Sequence, residues 1–180
     1  MGVNIPIRYQ SLSLPPLILF RQRTVIFQYN AFPIFNFQFS MICYNKNMEF
    51  SHLLGMIGSA EDQVNENLTA MFLGTGALPI YATSAISVLI EKAACAALEN
   101  HLPLGTTSVG ASLSFKHTTA TPVGHHVQAE AKVIEIQGRR ITFKIKVFDE
   151  KAKVADGTHE RFIVDANSFL QKIKSRGPVH

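Results

Sequence analysis

One stretch of the sequence, residues 81–98, limits the folds that this chain can adopt. It reads YATSAISVLIEKAACAAL, and at helical spacing its apolar side chains cover nearly the whole circumference. A helix that is apolar on almost every side is expected to be buried on most sides. Because Pro103 and Gly105 follow it, we expect a helix from about Thr83 to Asn100, enclosed by the rest of the chain.

The few polar residues of this helix form a line. Thr83, Ser87 and Glu91 recur every four positions, which places them on one face. An ionised carboxylate without partners costs several kcal/mol or more to bury, so Glu91 must be paired, protonated or catalytic. Lys92 or Lys116 would be its partner in a purely structural role. If the carboxylate is poorly paired, replacing it with glutamine should leave stability equal or higher. Thr83 has the position of a helix N-cap.

Composition and charge indicate an intracellular protein with one sizeable core. The chain has 180 residues, of which 47% are hydrophobic, and its two cysteines, Cys43 and Cys95, have no metal-ligand spacing. We expect Cys95 to be a buried, inert thiol. Of the 17 basic side chains, four lie in the first 47 residues, where no acid occurs, and the remaining 13 balance the 13 acids. This neutrality gives no basis for nucleic-acid binding, and no run reaches the roughly 20 apolar residues of a membrane span.

Residues 1–47 differ in character from the rest. They combine prolines and many phenylalanines with no sustained helical or alternating periodicity. Three interpretations stay open: a non-structural extension or gene-model artefact with translation starting at Met41 or Met48, a mitochondrial targeting segment, and a genuine added element. We expect residues 48–180 to form the folded domain, and removal of residues 1–47 to leave it folded and soluble.

The rest of the chain predicts an α+β domain with an antiparallel sheet. A strand candidate precedes the helix within residues 51–64, and four follow at 106–117, 125–136, 139–150 and 152–164. In the segment 139–150, apolar and polar residues alternate, and QGRR supplies a hairpin turn before it. A sheet wrapped around one long central helix is the hotdog fold. A cystatin-like sheet with its helix on one open face is the alternative, and residues 166–180 predict at most a short tail helix.

His117 is a candidate acid–base group. It ends a strand candidate on the same parity as Leu113 and Phe115, so it is either a boundary histidine or the partner of an inward carboxylate. The other histidines His125, His126 and His159 show no metal-ligand spacing with one another or with the cysteines, and we expect no metal site.

Several spaced motifs together resemble the fluoroacetyl-CoA thioesterase family of hotdog proteins, over roughly residues 56–170. They are Thr–x7–Glu on the helix, SVG at a strand entry, H-x3-TPVG, V-x-A-x-A-x-V-x-E and GTHER. The resemblance implies that Thr83, Glu91 and His117 are catalytic, that the backbone of Gly110 contacts the acyl group, and that Arg161 belongs to the substrate pocket. It does not imply selectivity for fluorine.

The spacing between Gly110 and His117 raises a geometric problem. Seven residues of regular strand separate them by about 23 Å and point them to opposite faces. Either a bulge intervenes or the pocket is shared between two subunits. The resemblance favours the second, because hotdog proteins generally dimerise and build acyl-CoA sites at the interface. We therefore expect a homodimer.

The leading functional prediction is a thioesterase that hydrolyses a short or medium acyl-CoA to the free acid and CoA, without a separate cofactor. The location would be cytoplasmic, or mitochondrial if residues 1–47 are a transit segment. A non-catalytic acyl-CoA-binding hotdog is the alternative from another class. A hotdog hydratase is a third possibility, but LPIYATSAIS lacks the Asp and His of the D-x-N-P-x-H-type motif that such enzymes usually carry.

Overall fold

The computed structural model describes residues 49–175 and residue 177. The proposed extension 1–47 lies outside these residues. The described elements are five strands, two α-helices and two short 3-10 turns (Ser51–Leu53 and Glu66–Leu68). Their bounds are β1 Ile57–Gln63, α1 Thr83–Leu98, β2 Thr106–His117, β3 His126–Gln137, β4 Arg140–Asp149, β5 Lys153–Asp165 and α2 Ala166–Lys174. Each predicted helix and strand is therefore present, and the tail forms the short helix α2.

The five strands form one antiparallel sheet in the order β1-β3-β4-β5-β2. The predicted alternation holds in β4, where Ile141, Phe143, Ile145 and Val147 are fully buried and the intervening Lys144 and Lys146 are exposed. Gly138, with a φ of 60°, lies in the two-residue turn between β3 and β4. A residue without Cβ adopts this left-handed conformation at no steric cost, as the QGRR prediction required.

Helix α1 packs closely on the inner face of the sheet. At Gly58 in β1, an added Cβ would lie 2.1 Å from the nitrogen of Ala97 and 2.4 Å from the carbonyl oxygen of Ala93, so only glycine permits this approach. Half of the helix residues are buried: Ala85, Ile86, Leu89, Ile90, Ala93, Ala94, Ala97 and Leu98. Their apolar contacts with the sheet form the core.

The opposite side of α1 is exposed in the single chain, contrary to the prediction of a helix buried on most sides. Val88 is 54% exposed, and Cys95 is an exposed free thiol rather than the buried one predicted. Positions 88, 92 and 95 follow one another at helical spacing on the side that faces away from the sheet, which explains the exposure of Cys95. Among the described residues, no helix is both long and apolar enough to cross a membrane.

Candidate active site

The predicted polar line runs along α1 at the margin of its exposed side. Thr83 begins the helix, Ser87 lies one turn later and Glu91 two turns later. The Ser87 hydroxyl donates a hydrogen bond to the carbonyl oxygen of Thr83 at 3.1 Å, so this middle residue is bound to the helix itself. Thr83 and Glu91 make their side-chain contacts with strands of the sheet, and these contacts define two separate clusters.

The first cluster joins Thr83 to His117. Thr83 Oγ1 lies 3.0 Å from His117 Nδ1, and His117 Nε2 lies 2.9 Å from the carbonyl oxygen of Thr119. Because a carbonyl can only accept, Nε2 carries the proton and Nδ1 accepts from the Thr83 hydroxyl. The prediction of Thr83 as N-cap is wrong: Ala82 has that position, and the helix start has no side-chain cap. The Thr83 hydroxyl instead donates a hydrogen bond to His117.

The second cluster joins Glu91 to Arg161 of β5. Arg161 Nη1 donates a short hydrogen bond to Glu91 Oε2 within an ion pair. The Glu91 side chain is 45% exposed, whereas that of Arg161 is only 5% exposed. Lys92, one of the two partners considered from the sequence, pairs instead with Asp62 at 3.2 Å. Glu91 is therefore a well-paired carboxylate at the edge of solvent.

Arg161 is itself held on several sides. Its Nε donates to Ser108 Oγ at 2.9 Å and its Nη2 to the carbonyl oxygen of Ser108 at 3.0 Å. Its Nη1 also lies 3.3 Å from His159 Nε2. Each guanidinium nitrogen thus has a protein partner. Arg161 was predicted to belong to the substrate pocket, and its donors are directed to protein atoms around Glu91.

Gly110 borders the Glu91 carboxylate directly. A Cβ at Gly110 would lie 2.8 Å from Glu91 Oε1 and 2.9 Å from Oε2. Gly110 pairs with Arg161 across β2 and β5, and a register shift follows between Gly110 and Ser112. Only glycine leaves room for the carboxylate at this distance.

The register shift resolves the spacing problem between Gly110 and His117. Gly110 pairs with Arg161, and His117 pairs with Ala155. These two β5 partners have the same parity, so Gly110 and His117 face the same side of the sheet. A bulge with Ala111 as the extra residue is therefore present, and the facing argument no longer requires a second subunit.

Sequence reasoning missed His159 as a member of the site. It is 1% exposed, stacks on Phe143 with ring centroids 6.1 Å apart, and its Nε2 lies 3.7 Å from Glu91 Oε2. The available signal was its position two residues before Arg161, because alternate residues of a strand share a face. In the sequence, His159 was considered only as a metal ligand.

An open cleft of about 620 Å³ adjoins the Glu91 cluster. It lies between the C-terminal half of α1 and the loop leading into β2, and its lining includes Lys92, Cys95, Leu104 and Ser108. Within the described part of the chain, no group of three His, Cys, Asp or Glu residues could hold a metal ion. The Glu91 cluster thus meets a cleft with room for a small-molecule chain through Ser108, whereas the Thr83–His117 cluster lies about two helical turns away.

Comparisons with known proteins show which family the chain resembles. Residues 64–167 match the model of the family described as fluoroacetyl-CoA-specific thioesterase. The fluoroacetyl-CoA thioesterase of Streptantibioticus cattleyicolor is 30% identical over 99 residues, which are 55% of this chain and 71% of that protein.

Solved structures extend the likeness to three dimensions. A structure of the fluoroacetyl-CoA thioesterase is similar with a TM-score of 0.65 at 27% identity, covering 69% of this chain and 97% of that one. A hot-dog-like protein from Thermanaerovibrio acidaminovorans gives 0.67 at 24% identity, covering 74% and 100%. The predicted hotdog fold is thereby confirmed. Because the family model matches more than half of the sequence, this chain belongs to the fluoroacetyl-CoA-specific thioesterase family.

Proposed function

We propose that this protein is an acyl-CoA thioesterase, which hydrolyses a short or medium acyl-CoA to the free acid and CoA. The observation that carries the proposal is the partly exposed Glu91 carboxylate, held by a buried arginine and bordered by Gly110. A carboxylate fixed beside an open cleft can activate water or attack a thioester carbonyl. Family membership supports the same reaction.

The catalytic roles follow from the two clusters. Glu91 takes a proton from water, whose oxygen attacks the thioester carbonyl, or attacks that carbon itself, and the C–S bond breaks to release the thiolate. The backbone at Gly110 contacts the acyl group. Eight residues of helix separate Thr83 from Glu91 by about 12 Å along the axis, so His117, oriented by Thr83 through the 3.0 Å hydrogen bond, supports the return of a proton to the thiolate through intervening water.

Arg161 takes part in the substrate pocket through Glu91. Its guanidinium fixes the direction of the carboxylate from the buried side and leaves the other side free to face the acyl group. Charge-assisted hydrogen bonds of this kind are stronger than neutral ones and hold a defined geometry.

No separate cofactor enters this proposal. Carboxylate and imidazole together supply a base and a proton donor, which thioester hydrolysis by water requires. CoA itself is part of the substrate. Treatment of the enzyme with a chelator is therefore expected to leave thiol release unchanged.

We propose that the protein acts as a homodimer. Strand β2 is at the edge of the sheet and pairs only with β5 among the described strands. A twelve-residue edge strand leaves a row of backbone groups available to pair with another chain. Sedimentation at micromolar concentration checks this, and an active monomer would contradict it.

A cytoplasmic location is proposed on the free Cys95 thiol, because unpaired cysteines are usual in reducing compartments. A mitochondrial location depends on residues 1–47, outside the described residues.

The decisive experiment is a thiol-release assay of the full chain with acetyl-, fluoroacetyl-, propionyl-, butyryl- and hexanoyl-CoA. We expect hydrolysis of at least one, and loss of that hydrolysis in Glu91→Gln. Saturable binding without thiol release would instead support the non-catalytic acyl-CoA-binding protein. Glu130→Gln, on the solvent-exposed side of β3, is the control that should keep full activity.

A further inference from the structure

His159 is a buried polar residue whose role the proposed mechanism leaves open. It lies on β5 with its side chain 1% exposed, two residues before Arg161 on the same inward face. The buried polar and charged residues among those described are His159, Arg161, Thr69 and Thr121. Buried polar side chains are retained when hydrogen bonds compensate their desolvation, so the partners of His159 indicate what it does.

Both ring nitrogens of His159 have defined partners. Nδ1 lies 2.7 Å from the carbonyl oxygen of Ser112, and Nε2 lies 3.3 Å from Arg161 Nη1. A carbonyl accepts only, so Nδ1 carries the proton and Nε2 offers a lone pair to the guanidinium. Burial lowers the pKa of His159, against the opposing effects of the Ser112 carbonyl and Glu91, and Arg161 lowers it further. The carbonyl facing Nδ1 and the guanidinium N–H facing Nε2 together define the neutral Nδ1–H tautomer.

This tautomer fixes the orientation of the Arg161 guanidinium. Nη1 has two N–H groups, one toward His159 and the other toward Glu91. Ser108 holds the remaining side of the guanidinium through its hydroxyl and carbonyl. An acceptor at Nε2 therefore fixes the orientation in which Nη1 meets the carboxylate. A protonated Nε2 would face the Nη1 donor and would compete with Arg161 for Glu91 Oε2, 3.7 Å away, which disrupts this arrangement.

The other end of His159 is fixed to the bulge. Ser112, whose carbonyl accepts from Nδ1, is the residue at which β2 resumes pairing after Ala111. Phe143 supports the ring by stacking at an interplanar angle of 29°. The ring thus connects the bulge of β2 to the guanidinium, and through it to Glu91.

We propose that His159 is a positioning residue, which holds Arg161 on Glu91 by accepting at Nε2 while the Ser112 carbonyl fixes its tautomer. The inference rests on the proposed role of Glu91 in hydrolysis. It assigns to GTHER a function in orienting the carboxylate, in which the histidine acts without contacting substrate.

Two substitutions separate positioning from simple packing. In His159→Gln, an amide oxygen can reach the position of Nε2 and accept from Arg161. In His159→Asn, the shorter amide can replace only the Nδ1–H bond to Ser112. Both variants lose the ring and its stacking on Phe143, so each controls for the stability cost of the other. Val133→Ala, in the buried part of β3, is a further control for a destabilised core.

We expect kcat of His159→Asn to fall at least about tenfold below that of His159→Gln, with KM changed little in both. Val133→Ala should keep kcat near that of the parent. Equal kcat in the two His159 variants, or losses that follow melting temperature in all three, would overturn the proposal.

Imidazole nitrogen NMR gives a readout that does not depend on turnover. His159 should keep a protonated Nδ1 and an unprotonated Nε2 as pH falls through its ordinary pKa, and the Arg161 Nη–H signals should persist in His159→Gln and be lost in His159→Asn. A proton on Nε2, or identical Arg161 signals in both variants, would refute the positioning role. If the parent releases no thiol from any acyl-CoA, the proposed function fails, and these spectra still decide the inference.

Discussion

Gly110 and Glu91 are in contact across the groove between β2 and α1, because the absence of a side chain at one leaves the space that the carboxylate of the other fills. An added Cβ at Gly110 would lie 2.8 Å from Oε1 and 3.2 Å from Cδ of Glu91. The atoms it would meet are the end of a flexible side chain, so the carboxylate can move away while the strand keeps its place.

Gly110→Ala should therefore separate activity from stability. We expect thiol release to fall about tenfold or more, since Glu91 keeps its pair with Arg161 but shifts relative to the acyl group, while the free energy of unfolding changes by less than about 1 kcal/mol. Assay and urea unfolding of one preparation test both parts.

Gly157→Ala is the matched control. Its Cβ would lie 2.1 Å from the carbonyl oxygen of Ser114 and 2.6 Å from the Cα of Phe115, which are backbone atoms. This variant should lose about 3 kcal/mol of stability. A Gly110→Ala enzyme with full activity, or one as unstable as Gly157→Ala, would contradict the assignment.

Glu91→Gln should lower both activity and stability. The sequence favoured equal or higher stability on the assumption of a poorly paired buried carboxylate, and the pairing with Arg161 reverses that expectation. Without Glu91 the 4% exposed Arg161 loses its counterion, at a cost of about 1–3 kcal/mol. Thiol release should fall at least about a hundredfold. Unchanged turnover would exclude Glu91 from the chemistry.

Thr83→Val and Thr83→Ser test the first cluster. Valine keeps the shape but removes the hydroxyl that donates to His117 Nδ1, and we expect thiol release to fall roughly a hundredfold. Serine keeps the hydroxyl and should stay within a few-fold of the parent. If the valine variant is as inactive as Glu91→Gln and an acylated Thr83 accumulates in Glu91→Gln, then the threonine, activated by His117, is the nucleophile.

The lowered pKa of Glu150 predicts part of the loss of folding stability at low pH. Its pKa is lowered from 4.5 to about 2, chiefly by the backbone N–H of His126 and with help from His125. A carboxyl group with a lower pKa in the folded state stabilises the fold above its unfolded pKa, and this contribution is lost as pH falls through the folded pKa. The free energies of unfolding of the parent and of Glu150→Gln should thus differ most above pH 4.5 and become equal toward about pH 2.

Urea unfolding of both proteins at a series of pH values measures this difference. Asp149, Asp156 and Asp165 also have lowered pKa values, but they are present in both proteins and largely cancel. If the difference in free energy of unfolding stays constant over the whole pH range, the titration of Glu150 does not cause the acid sensitivity.

The fold was predictable because its signals are local. The alternation of β4 and the apolar run of α1 each need only about ten consecutive residues to be recognised, and both were identified correctly. The exposure of Cys95 was missed because its neighbours are alanines, which give the helix little amphipathic contrast.

The sequence motifs predicted which residues form the site, but they did not predict which of these residues contact one another. Thr83, Glu91, His117, Gly110 and Arg161 came from spaced motifs. The Glu91–Arg161 pair joins positions 70 residues apart, and it depends on β5 lying next to β2 in the sheet. Single-sequence patterns do not encode which strands become neighbours. His159 went unrecognised because His159, Glu160 and Arg161 are all polar. The alternation that places His159 and Arg161 on one face therefore gives no apolar signal.

The bulge at Ala111 makes spacing, rather than side-chain chemistry, a determinant of the site. Ala111 is exposed, so many residue types should be tolerated there. Deleting it would straighten β2 into a regular ladder in which Gly110 and His117 are six residues apart and still share a face. A scan of point substitutions would therefore classify this position as neutral. In a comparison of related sequences, the informative feature is where a gap occurs in β2. A one-residue gap at Ala111 would keep both catalytic clusters on one face, whereas a gap between Ser112 and His117, with the bulge kept, would turn His117 to the opposite face.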